Sequence, residues 1–133
     1  MKLFVHIALI LALSLLAMWF LPWWSAAGVA FAVGLLLSER RRRGYSRKKT
    51  RSWSFLAGFV ALFLLWGVWA WKIDFANQSL LSNKIALVLT SGAALPLPGA
   101  YAMILLSALA GGLMGGASSL SGGLLGQALR RGR

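Results

Sequence analysis

Residues 39–51 read ERRRRGYSRKKTR. The stretch sets Arg40, Arg41, Arg42, Arg43, Arg47, Lys48, Lys49 and Arg51 between two long apolar regions, and that placement decides the class of fold. Lys and Arg beside hydrophobic segments resist being carried across a bilayer during insertion, so such a loop stays on the cytoplasmic side. The same cations attract anionic lipid headgroups. The expected fold is therefore an all-α integral membrane protein oriented by this loop.

The composition agrees. With 133 residues, 59% of them hydrophobic, and a mean hydropathy of +0.76, the chain carries more apolar surface than a small globular core can hide. A net charge of +12 would point to nucleic acid on a soluble domain, through phosphate neutralisation. Here no soluble domain is present to carry it, and the expected partner is the lipid bilayer with its anionic headgroups, with no nucleic acid. The absence of cysteine excludes disulfides, thiol catalysis and thiolate metal sites.

On the N-terminal side of the loop, residues 3–20 (LFVHIALILALSLLAMWF) carry no formal charge and are long enough for one crossing of a ~30 Å hydrocarbon core. Pro22 breaks that helix, and Trp23 and Trp24 belong at a headgroup layer, so the chain turns there and re-enters. Residues 24–38 form a second, shorter span containing Gly28 and Gly34, which suit close packing. Beyond the loop, residues 53–71 form a third span, uncharged and about 28 Å long as a helix. Trp19, Trp23, Trp24, Trp66, Trp69 and Trp71 then fall on the face away from the loop as an aromatic belt, with Trp53 opposite.

Residues 72–91 are expected to form an outer loop and an interfacial helix. Asn77 is a candidate cap for a helix beginning near Gln78. In that helix Leu80, Leu81, Ile85 and Val88 recur on one face while Gln78, Ser82, Asn83 and Ala86 take the other, the pattern of a helix lying along the membrane surface. Two prolines and two glycines in residues 91–99 (SGAALPLPG) end it.

The last span, residues 100–126, has its small residues in order. Ser107, Gly111, Gly115, Ser119 and Gly123 recur every four positions, as do Ala108, Gly112 and Gly116, and Ser118, Gly122 and Gly126 continue the strip. On a helix this spacing makes a smooth face that another backbone can approach, which is how helices pack in lipid. The strip packs either on the chain's own spans or on another subunit. Glycine lowers helix stability, so fraying is expected beyond Ser118.

Reactive groups are sparse. His6 is the single histidine, and bis-histidine haem ligation needs two. Glu39 and Asp74 are the only carboxylates, and both fall in expected loops, leaving no span with an acid to carry protons as drug/proton antiport requires. Paired carboxylates, metal-ligand clusters and a Ser/His/Asp arrangement are all missing from the sequence, so no catalytic, cofactor or metal residue is assigned and the chain is read as non-enzymatic. Asp74 and Asn77 head the one outer polar cluster, available for an outer contact.

In layout the chain resembles small four-span bacterial inner-membrane proteins. The small fluoride channels share its size and span count, but dual orientation needs balanced Lys and Arg, which this chain lacks. Four spans place Lys2, the eight loop cations, Arg130, Arg131 and Arg133 inside, and only Lys72 and Lys84 outside. Both termini are then cytoplasmic. The expected function is an accessory or structural subunit of a membrane assembly, homo- or hetero-oligomeric; the alternative is a small oligomeric channel or transporter.

Overall fold

A computed structural model describes residues 2–37, 47–89 and 99–129, with side chains from residue 3 in the first segment and residue 52 in the second. Among the described residues all regular structure is helical: α1 (Lys2–Phe20), α2 (Ser25–Leu36), α3 (Arg47–Ala76), α4 (Leu80–Leu89) and α5 (Gly99–Leu129). Three helices are long and apolar enough to cross a membrane, over Leu3–Phe20, Ser52–Ala76 and Gly99–Leu129.

Local chemistry explains most of the boundaries. Leu21 precedes a proline, which disfavours the helical region, so the last helical bond of α1 runs from the Leu21 N–H to the Ala17 carbonyl at 2.8 Å. The Pro22 carbonyl then accepts from the Ser25 N–H at 2.9 Å, closing a tight corner into α2. α2 has only 12 residues, about 18 Å of rise, against the longer span expected over residues 24–38.

α3 extends beyond its expected span at both ends. It begins at Arg47, so Arg47, Lys48, Lys49 and Arg51 lie in helix where a loop was expected, as suits good helix formers with no breaker after Gly44. It also runs on through Lys72 to Ala76, residues expected in the outer loop. α5 continues unbroken to Leu129, past the fraying expected beyond Ser118, because its glycines are held against neighbours. Residues 38–46, with Arg40, Arg41, Arg42 and Arg43, and the proline-rich turn lie outside the described residues.

The helices form a four-membered ring. α1 touches α2 and α3; α5 also touches α2 and α3, most extensively α3; among the described residues α1 and α5 share no contact. The Trp23 ring lies 5.6 Å from that of Trp66, while Gly34 lies beside Ser119, itself beside Gly58. α2 therefore runs opposite to α3. Contacts of Ser54 with Gly123 and of Gly67 with Ala108 make α5 antiparallel to α3 as well. α4 packs mainly on α5.

Most of what is buried is small, and most of the large apolar side chains are exposed. The core cluster joins Ile10 of α1, Ala26, Ala30 and Val33 of α2, and Ala57, Ala61, Leu62 and Leu65 of α3. Ser14 and Ser119 are 0% exposed, whereas Phe4, Leu16, Trp19, Phe20, Leu113 and Val88 stand outward, Trp19 at 83%. In a protein folded in water the large apolar side chains supply the interior. Here Ile10, Val33, Leu62 and Leu65 are the large members of an interior otherwise made mostly of Ala, Gly and Ser.

Candidate functional site

Two places on this frame hold the packing and outer-contact residues singled out by the sequence: the face of α5 turned to α2 and α3, and the corner where α3 meets α4.

On α5, the four-residue spacing puts Ala108, Gly111, Gly112, Gly115, Gly116, Ser119 and Gly123 on the buried side, with Ser107 half-buried. A Cβ at Gly122 would lie 2.9 Å from the Phe31 carbonyl carbon and closer still to its oxygen. One at Gly34 would meet the Ser119 carbonyl group, its carbon at 3.1 Å, and one at Gly58 the Gly115 carbonyl group, its carbon at 2.8 Å. Three backbone-to-backbone contacts thus run down the seam. All of them are made within the chain.

Gly112 and Gly116 take a different role from the close backbone approach that their spacing suggests. They face Phe59, Phe63 and Phe55, which sit four residues apart on α3 and stack with centroids 5.7 and 6.0 Å apart. A ridge of rings fits into a groove of glycines. Gly58 was not singled out by the sequence reading; its signal is Ser54 four residues before it, a second small-xxx-small pair matched to that of α5.

At the corner, α3 ends in a left-handed turn. The Ser79 N–H donates to the Asp74 carbonyl at 3.0 Å and the Gln78 N–H to the Phe75 carbonyl at 3.2 Å, the paired bonds that close a helix C-terminus when the residue after its cap adopts positive φ. Gln78 and Ser79 have φ of 52° and 55°, values for which glycine is the usual residue. This turn delays α4 to Leu80, so Asn77 is not its cap. Asn77 acts through its backbone, donating to the Ile73 carbonyl at 3.0 Å and accepting from the Leu80 N–H at 3.2 Å.

The side chain that organises the corner is Asp74, 9% exposed. It accepts from the Ser79 hydroxyl at 2.7 Å and from the Ser82 hydroxyl. The Ser79 carbonyl in turn accepts the first helical bond of α4, from Asn83 at 3.1 Å. A carboxylate near a helix C-terminus is unfavourably placed, but this one lies at the start of the next helix, where the dipole favours it. The turn and Asp74 set the orientation of α4: Ser82 and Ala86 face inward, while Leu80, Leu81, Ile85 and Val88 face outward.

A cleft of about 230 Å³ opens between the end of α3, the start of α4, and α5. Asp74, Asn77, Ser82 and Ser107 supply its polar lining, and Leu81 and Ile85 part of its apolar wall. His6 is half-buried on α1, away from this corner by its element. Among the described residues no group of three potential metal ligands comes together.

No family model, no curated protein and no solved structure matches the chain.

Proposed function

We propose that this chain is a multi-pass protein of a bacterial inner membrane, a non-enzymatic accessory or structural subunit of a membrane assembly. The observation that supports the reading is the distribution of burial: an interior mostly of Ala, Gly and Ser around a few aliphatic side chains, with most of the Leu, Phe and Trp outside. Lipid removes the hydrophobic drive between helices and leaves close packing as the source of cohesion, which favours small residues at helix contacts. Large apolar side chains then turn to the acyl chains at no cost.

In this topology α1, α2, α3 and α5 are the four crossings, and α4 lies in the outer interface with Leu80, Leu81, Ile85 and Val88 toward the hydrocarbon. α2 is shorter than a full crossing, so the bilayer thins beside it, with Trp23 and Trp24 at one interface. The α5 seam is occupied inside the chain, so a partner subunit docks on the outer apolar faces instead.

Three measurements test the reading. Reporter fusions after residue 133 and at Asn77 should place the first in the cytoplasm and the second outside; a periplasmic signal at residue 133 contradicts the topology. Purification in mild detergent should bring down other polypeptides in fixed ratio. Solute flux through the reconstituted chain alone would replace the subunit reading with that of a channel.

A further inference from the structure

The cleft at the α3–α4 corner shares only Ser107 with the small-residue strip of α5 and is not needed for the topology. We propose that it binds the primary ammonium of an aminophospholipid headgroup, with Asp74 as counter-ion; the inference rests on the membrane reading above.

Three observations lead there. Asp74 is about nine-tenths buried, and its side-chain partners are two neutral hydroxyls. An ionised carboxylate offers about four acceptor positions, so sites remain, and a carboxylate withdrawn from water is stabilised most by a cation. Lys72, two residues earlier, is turned to another partner, its ammonium 5.4 Å from the centroid of the Trp69 ring.

The donor set and the space choose the cation. A hard divalent metal needs about six oxygen ligands and several carboxylates, which one aspartate does not supply. A primary ammonium carries three donors, and Asp74, Asn77 and Ser107 offer oxygens around one cleft. The volume of about 230 Å³ is several times that of a water molecule, room for a headgroup rather than a bare ion.

The walls choose the carrier. Leu81 and Ile85 line the cleft and continue into the outward face of α4, with Leu80 and Val88 beside them. An acyl chain has an apolar path out of the site; a free amine would gain nothing from it. Exposed Trp69 and Trp71 on the neighbouring turns of α3 belong at headgroup depth.

The test compares melting temperatures of the full-length protein in detergent with added dioleoyl phosphatidylethanolamine, dioleoyl phosphatidylcholine, dioleoyl phosphatidylglycerol or free ethanolamine. The ethanolamine lipid should raise Tm by about 5 °C more than the choline lipid, the shift that ligand at roughly ten times its Kd gives a chain of this size. Asp74→Asn should abolish that preference. Because Asp74 also holds the turn, Ser107→Leu serves as the second variant: it fills the cleft from α5, leaves the Ser79 and Ser82 hydroxyls in place, and should abolish the preference too.

Equal shifts from the ethanolamine and choline lipids, or an undiminished preference in Ser107→Leu, would overturn the proposal. So would the phosphatidylglycerol lipid matching the ethanolamine lipid. A full shift from free ethanolamine would overturn the lipid as its source. A chain that stays in solution without detergent would instead overturn the membrane reading, a result distinct from indifference to headgroup in a chain that needs detergent.

Discussion

The α5 seam and the α3–α4 corner hold their helices together by opposite means. In the seam, contact depends on what is missing: at Gly34, Gly58 and Gly122 a single added carbon would collide with the backbone of the facing helix. At the corner, contact depends on one side chain, Asp74, which gathers two hydroxyls across a turn that glycine would ordinarily make. Backbone cannot give way as a side chain can, so the seam should be intolerant of volume and indifferent to polarity. The corner should show the reverse.

The largest effect is expected from leucine in the seam. Gly122→Leu and Gly34→Leu push four carbons into the opposing main chain and should each cost about 3 kcal/mol or more, at or beyond the top of the usual overpacking range, seen as loss of the folded species in detergent. Met114→Leu, a swap of similar volume at a half-buried position, should stay within about 1 kcal/mol of the parent. Equal behaviour of the three would mean that the seam is not packed as described.

Alanine sharpens the comparison by changing sign. At Gly122 the added methyl meets the Phe31 carbonyl and should destabilise by about 1–3 kcal/mol. At Gly28, also within a helix, nothing lies within 4 Å of a Cβ. There the higher helix propensity of alanine acts alone and should stabilise by roughly 0.5–1 kcal/mol. Denaturation of the pair side by side gives both signs from one substitution.

Corner variants should have smaller effects. Asp74→Ala is expected to lower Tm by less than Gly122→Leu, and Ser79→Ala and Ser82→Ala by less again. Their effects should be non-additive with Asp74→Ala, because all act through one carboxylate. A full double-mutant cycle in Tm checks this, and strict additivity would mean that the serines do not act through Asp74.

The smallest change expected is a gain. Gln78→Gly removes a side chain from a residue at φ 52° and should stabilise by about 0.5 kcal/mol, the relief of left-handed strain less the extra chain entropy of glycine. A loss of stability on that substitution would show that the Gln78 side chain supports the corner.

How much of this was legible in the sequence follows the same division. The helical class and the three long apolar helices come from uninterrupted hydrophobic runs, which one-dimensional patterning reports well. The small-residue face of α5 was visible as a four-residue period, but not which of its glycines meet backbone and which meet rings, because that depends on the rotation of α5 against α3. The corner was hidden for a different reason. Asp74 and Ser82 are eight residues apart, and the turn between them uses Gln78 and Ser79 at positive φ, where no glycine marks it. Asn77, as good a capping residue by type as Ser79, drew the helix start two residues too early.

The central claim is that the large apolar side chains of this bundle face lipid. The chain contains no cysteine, so single cysteines report one position each. Spin labels at Leu113, 58% exposed on α5, and at exposed Asn77 beside the corner can be compared in reconstituted vesicles, by their collision rates with oxygen and with a water-soluble nickel chelate. A lipid-facing bundle predicts high oxygen and low nickel accessibility at Leu113, and the opposite at Asn77. A label at Leu113 as open to the nickel chelate as the one at Asn77 would contradict it.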